Sequence, residues 1–298
     1  MKRLARWIGI ALGSLAALML VAFAAVYALS ERILRHTYTI PGVSISIPTD
    51  AASIIEGRRL ATIHGCFSGC HGREAEGSVL FDQPIIGRLV APNLTAAVRR
   101  YSDPQLAVAI RHGLRPDGRS MVVMPSEAFV LLTDQDLGRI LAFLKSLPPA
   151  EGPGPSLSLG PVGRIGFIIG QFNLAAKLIA NTVPPPEATN EQAAFGRYLA
   201  RTACVQCHGT DLRGMSNPDF TSPSLQLVTA YDPQAFTQLL RTGVALGGRQ
   251  LGVMGSWARN NLSQLTDVEI AALYSYLHAL PGVPASRVSS STGRLHPG

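Results

Sequence analysis

Residues 57–72 read GRRLATIHGCFSGCHG and residues 196–209 read GRYLARTACVQCHG. The second stretch repeats the first. Gly57-Arg58-Arg59-Leu60-Ala61 matches Gly196-Arg197-Tyr198-Leu199-Ala200, and both runs close on two cysteines, a histidine and a glycine. The matching order continues downstream. Gly118-Arg119 answers Gly248-Arg249, Met124 answers Met254, Thr133-Asp134 answers Thr266-Asp267, and Phe143-Leu144 answers Tyr276-Leu277. Preserved order with slightly drifting spacing indicates a duplicated domain with altered loops, not a tight solenoid period. The 298 residues therefore read as two domains, 50–148 and 188–282.

Each half reads as helical. Thr133-Asp134-Gln135-Asp136 and Thr266-Asp267-Val268-Glu269 have the form of capping boxes. Behind them Leu137, Ile140, Leu141 and Leu144 recur at helical spacing, as do Ile270, Leu273, Tyr274 and Leu277. Pro148 and Pro281 stop these helices. The expected fold is all-α. Residues 149–187 read as a Pro/Gly-rich linker, with Pro184-Pro185-Pro186 as an extended stiff connector. Within it Ile165 to Ala180 reads as one apolar helix, buried or lying at a membrane surface, and too short to cross. Residues 283–298 read as a disordered tail.

Composition narrows the classes. Charged residues are 15% of the chain, against ~25% in an average soluble domain, and hydrophobic residues are 47%, which excludes a disordered polyelectrolyte. The net charge of +7 has no basic block behind it, so no nucleic-acid partner is expected. Residues 7–30 carry no charge and span ~36 Å as a helix, against a ~30 Å hydrocarbon core. Lys2, Arg3 and Arg6 precede them, which places the N-terminus inside and residues 31–298 on the exported side. A retained single-pass anchor in the inner membrane is the expected form, with a long signal peptide cleaved after Ala28-Leu29-Ser30 as the alternative.

Cys204-Val205-Gln206-Cys207-His208 is the C-x-x-C-H attachment signature for c-type haem. Two thiols one helical turn apart can add to the two vinyl groups on one edge of the porphyrin, and the next residue then reaches the iron. Zinc would ask for a fourth ligand that is not evident, and a thioredoxin-like site for a βαβ context that is not visible. The first half carries C-x-x-x-C-H, Cys66 to His71. Its extra residue keeps the thiols on one helix face, and Gly69 offers room for a local bulge. All four cysteines fall in these two motifs. Two haem c groups with iron are thus expected.

On these motifs, on the glycine-bearing helix before each and on the aromatic-bearing helix closing each half, the chain resembles a membrane-anchored dihaem c-type cytochrome with two tandem class I-like domains. The resemblance implies that the first and last helices of each half cross at a glycine, Gly57 against Phe143 and Gly196 against Tyr276. It implies a methionine as sixth iron ligand in a loop before the last helix. Met254 is the candidate in the second half, and Met124 in the first, with Met121 as the competing choice. It also implies a proline carbonyl accepting from each iron-bound imidazole, at Pro92 and Pro223, and it offers Arg111 and Arg241 as partners of the haem propionates. His64 and His112 lie near the first motif and are the replacements if methionine does not bind. The iron ligands expected are therefore His71, Met124, His208 and Met254.

Ligation at both axial positions leaves no site for a substrate, and thioether favours ferrous iron. The expected function is electron transfer between an exported dehydrogenase and a terminal acceptor such as an oxidase, a reductase or a soluble cytochrome, with the haem domains on the periplasmic side and no catalytic residue. The resemblance extends in part to the cytochrome subunits of membrane-bound alcohol and gluconate dehydrogenases, which carry three haem motifs. A dihaem peroxidase, with an open axial position, and a haem-based sensor are the alternatives.

Overall fold

The computed structural model describes residues 2–216 and 221–281, so the predicted tail lies outside the described residues. Helix α1 (Lys2–Leu34) covers the uncharged run and is solvent-exposed over nearly its whole length, with Ser30 its one buried residue. Among the described residues it is the helix long and apolar enough to cross a membrane.

The first half opens with α2 (Ala51–Ile63), whose N-cap Asp50 accepts from Ser53 N at 2.9 Å. A hairpin follows, β1 (Ser78–Gln83) against β2 (Gly87–Ala91). Then come α3 (Leu94–Arg100), α4 (Asp103–His112), α5 (Ser126–Phe129) and α6 (Asp134–Ser146). After β3 (Ser156–Leu159), α7 (Pro161–Ile168) and α8 (Ala175–Ala180), the second half builds α9 (Glu191–Leu199), α10 (Val205–His208), α11 (Pro233–Thr242), α12 (Val253–Asn260) and α13 (Asp267–His278).

The chain is mostly helical, as expected. The three-stranded antiparallel sheet is not foreseen by that reading. Strand β3, Ser156-Leu157-Ser158-Leu159, pairs with β2 in the register Leu89↔Leu157. The segment between the halves is thus folded onto the first half. The apolar run 165–180 is two helices, because the chain reverses at Gly170 (φ 77°) and Phe172 folds back over Gly166.

In each half the first and last helices cross at a glycine. A Cβ on Gly57 would fall 1.9 Å from Arg139 O and 3.1 Å from Phe143 Cβ; one on Gly196 would fall 2.0 Å from Ala272 O and 2.9 Å from Tyr276 Cβ. The absent side chain lets backbone pack on backbone. Helices α6 and α13 supply the buried faces, with Leu137, Leu141, Leu273 and Leu277 nearly or wholly inaccessible. Each such side chain contributes roughly 1.5–3 kcal/mol of burial energy.

One apolar cluster runs through both halves, from Leu60 and Leu141 to Leu199 and Leu277. Polar contacts reinforce it. Arg59 on α2 pairs with Glu269 at the start of α13 (2.7 and 2.8 Å) and with Glu56 (2.7 Å). Tyr198 on α9 donates to Asp136 at the start of α6 (2.5 Å), and Thr133 N donates to the same phenol oxygen (3.5 Å). Burial pushes Glu269 up, yet the Arg59 guanidinium and Thr266 N–H hold its carboxyl below the usual carboxylate value.

Candidate haem-binding sites

Cys66–Cys70 forms a single π-helical turn in which His71 N–H donates to Cys66 O at 3.1 Å. Short π segments accommodate one extra residue within a helix and recur at functional sites. The widening takes up the additional residue of the first motif across the whole turn, with Gly69 in open surroundings. In the second half a π turn at Ala200–Cys204 precedes α10, which carries Cys207 and His208.

Both imidazoles are buried and held alike. His71 Nδ1 lies 2.9 Å from Pro92 O, and His208 Nδ1 lies 2.9 Å from Pro223 O. A carbonyl accepts only, so Nδ1 carries the proton and Nε2 presents its lone pair. Burial lowers both imidazole pKa values, the carbonyl contact notwithstanding, which keeps them neutral. The loops that set this contact match at the level of single hydrogen bonds. Gly77 N donates to His71 O (2.7 Å) as Gly214 N does to His208 O (2.8 Å), and Leu94 N donates to Ala75 O (2.8 Å) as Leu225 N does to Leu212 O (2.9 Å). Ala75 and Leu212 both sit in the left-handed region, at φ 62° and 61°. That conformation is costly for a side-chain-bearing residue and persists only where its surroundings enforce it.

The four cysteines are free thiols, partly buried in each motif. Burial pushes Cys66 and Cys204 up to about 12 and raises Cys70 and Cys207 as well. A serine hydroxyl donates to the carbonyl of the second cysteine in each half, Ser78 to Cys70 and Ser222 to Cys207. These serines stand at unequal distances from their histidines in the chain, so no spacing signal marks them.

The residues fit an iron porphyrin. Among the described residues, the buried side-chain polar atoms left without a partner are Arg111 Nε, Ser126 Oγ, Glu127 Oε2 and Gln206 Nε2. Gln206 lies inside the second motif, and Ser126 and Glu127 follow Met124-Pro125 directly. Unpartnered buried polar atoms are rare in proteins, and the orphaned Arg111 guanidinium N–H is a donor of the kind a propionate would accept from. No cluster of three or more His, Cys, Asp or Glu side chains able to hold a bare metal ion occurs among the described residues.

Met124 and Met254 pack on the shared apolar cluster, beside which Cys66 and Cys204 also lie. Met121 is not among the residues packed on that cluster; its backbone N–H donates to Gly113 O (2.6 Å) and its carbonyl accepts from Ala175 N (3.0 Å), while the Met124 carbonyl accepts from Ser126 N (2.8 Å). Arg111 and Arg241 take equivalent places. Arg111 bonds Leu132 O (2.6 Å) and Asp134 (2.7 Å); Arg241 bonds Ser263 O and Asp267 (2.8 Å). Each ties the helix before the methionine loop to the start of the closing helix. His64 is fully buried between the halves, with Nδ1 3.1 Å from Thr202 O. His112 sits in the last turn of α4.

Each motif also meets the other half, which the sequence reading missed. The Trp257 ring, on the helix that carries Met254, covers Gly65; a Cβ there would lie 2.1 Å from the indole. Fully buried Asn261, oriented by its bonding network, turns its amide nitrogen to Thr62 O (3.1 Å) and Ser68 Oγ (2.8 Å). Helix α5 packs in turn against the π turn and α10 of the second motif.

Residues 193–281 match the family model described as Cytochrome c, and this part of the chain is a cytochrome c domain. The chain is 27% identical over 266 residues to the fructose dehydrogenase cytochrome subunit of Gluconobacter japonicus, covering 78% of this chain and 54% of that protein. It is 24% identical over 271 residues to the cytochrome c subunit of alcohol dehydrogenase (quinone) from Gluconacetobacter polyoxogenes, covering 80% and 58%, and equally to that of Komagataeibacter europaeus. The chain thus spans little more than half the length of these curated relatives.

Proposed function

We propose that the chain is an electron carrier with two covalently held haem c groups, one in each half, and not itself a catalyst. The observation that carries this reading is the pair of imidazoles fixed through Nδ1 at 2.9 Å on proline carbonyls, each directly following in the chain a cysteine pair that forms no disulfide. In this reading Cys66, Cys70, Cys204 and Cys207 form the thioethers, and residues 50–148 are a second cytochrome c-like domain. Alignments of 266 and 271 residues support this, since they extend far beyond a single domain.

Iron porphyrin, when bound, supplies a one-electron couple. The chain's own residues set its conditions. Pro92 and Pro223 fix the ring orientation and raise the basicity of His71 and His208. Met124 and Met254 would each supply a thioether to the iron, and Met124 is favoured over Met121 because it packs on the apolar cluster. Arg111 would offer its unpartnered Nε to a propionate, whereas its terminal nitrogens and those of Arg241 brace the closing helices. The apolar cluster beside both motifs would disfavour added charge on the metal.

The partners in this reading are an exported dehydrogenase as donor, in keeping with the relatives' names, and a membrane oxidase, reductase or soluble cytochrome as acceptor. Helix α1 anchors the chain in the inner membrane with residues 31–298 on the periplasmic side. The test is a pyridine-haemochrome count together with intact mass. Two haems per chain and no free thiol are expected; free Cys66 and Cys70 would reduce the carrier to one site. Stopped-flow mixing of the reduced protein with oxidised soluble cytochrome should show electron transfer without peroxide turnover.

A further inference from the structure

The end of α1 and the segment between the halves enclose a cleft that electron transfer leaves unused. Its frame is Arg164 on α7. The guanidinium lies over the Tyr27 ring at 4.2 Å, pairs with Glu31 at 2.9 Å and donates to Ser30 Oγ at 2.8 Å. Helix α7 is thereby fastened along the last turns of α1, where the uncharged run ends and Glu31, Arg32 and Arg35 begin. Alongside this joint opens a cavity of about 330 Å³ lined by Arg32, His36, Tyr38, Phe167, Phe172 and Lys177, among others, and by no carboxylate. Arg32 and Lys177 are exposed and form no ion pair among the described residues. On α7 Ile165 exposes its side chain, at 44%, as do Ile169 and Phe172 just beyond the helix end, at 71% and 42%.

Cations beside exposed apolar side chains, at the level where a spanning helix leaves the hydrocarbon, match the layering of a phospholipid monolayer. We propose that this cleft binds the phosphate headgroup of an anionic glycerophospholipid in the leaflet where α1 emerges. Arg32, His36 and Lys177 surround the phosphate, and Ile165, Ile169 and Phe172 enter the acyl boundary. The proposal rests on the reading of α1 as a membrane span. Its consequence is orientation. Helix α7 is joined to β3, which belongs to the sheet of the first half, so a lipid held here fixes that half's face toward the bilayer.

The test uses the full haem-loaded chain in nanodiscs of phosphatidylcholine alone or mixed with phosphatidylglycerol, followed by native mass spectrometry after detergent release. Wild type should retain phosphatidylglycerol selectively, and R32Q/K177Q should lose roughly tenfold of that retention, with R35Q/R100Q, both exposed and outside the cleft, as the charge-matched control. Haem count and reduced spectrum should be identical in all three. Equal retention in R32Q/K177Q and wild type overturns the proposal, as does retention of a quinone or of inorganic phosphate in place of lipid. Failure to enter phosphatidylcholine discs would instead overturn the membrane reading beneath it. An altered haem count in wild type would touch only the electron-carrier reading.

Discussion

A single side chain separates the two methionine assignments in the first half. Met124 packs on the apolar cluster beside which Cys66 lies, and Met121 is not among the residues that do. M124L should abolish the methionine–iron charge-transfer band of one haem and lower its midpoint potential, whereas M121L should leave both unchanged; spectropotentiometry reads each. His64 makes a different prediction. Burial pushes its imidazole down to about 4, outweighing the Thr202 carbonyl that its Nδ1–H meets and the Asp136 and Glu269 carboxylates, with Arg59 acting in the same direction as burial. The unfolded chain takes up that proton near 6.5, so its contribution is complete above that pH and is lost as pH falls from 6.5 toward 4. The loss amounts to about 3 kcal/mol by the linkage relation. H64N, which keeps a donor for Thr202, should flatten this part of the stability profile in denaturant titrations taken at successive pH values.

Among the elements, the helix crossings are the most exacting. The Cβ of G57A would meet a backbone oxygen at 1.9 Å, and a backbone cannot turn aside as a side chain can. Helix α2 must lift from α6, at a cost of about 1–3 kcal/mol or more. Because α2 runs directly into the Cys66 turn, G57A should also lower haem attachment at that site, while G196A should do so at the other. Peptide mapping of haem occupancy with thermal melts would check both. These crossings were legible through the family resemblance, which the repeated glycine and the aromatic behind it help to carry. The caps were legible for a local reason too. Thr266 and Glu269 close a full capping box, whereas Asp136 lends its carboxylate to Tyr198 and leaves Thr133 with half of one. Strand β3 was present in the alternation of Ser156 to Leu159, but four residues among prolines and glycines carry too little periodicity to outweigh a linker reading. The run 165–180 misled because its apolar content is continuous while its backbone direction is set by Gly170 alone.

Across the whole molecule the two halves meet through the same surface used twice. Arg59 and Tyr198 occupy corresponding positions, one reaching the cap of α13 and the other the cap of α6. Such a self-complementary contact is the intramolecular counterpart of a two-fold dimer interface. Pairings across some 200 residues are invisible to periodicity, so neither Arg59 nor Trp257 could have been assigned from the chain alone. The arrangement sets each haem motif against the partner half, and so the halves should unfold together. R59M tests this. It leaves the Glu269 carboxylate, 8% exposed, without its cation, and breaking a buried pair in this way costs about 3–5 kcal/mol. The Thr266 bonds remain to Glu269, which places the expected loss toward the lower end. Calorimetry should show one transition in the wild type, separating into two in R59M as the interface loosens, and R59M/E269Q should recover part of the lost stability. Two separate wild-type transitions would show the halves to be independent, and the shared apolar cluster would then contribute less than its continuity implies.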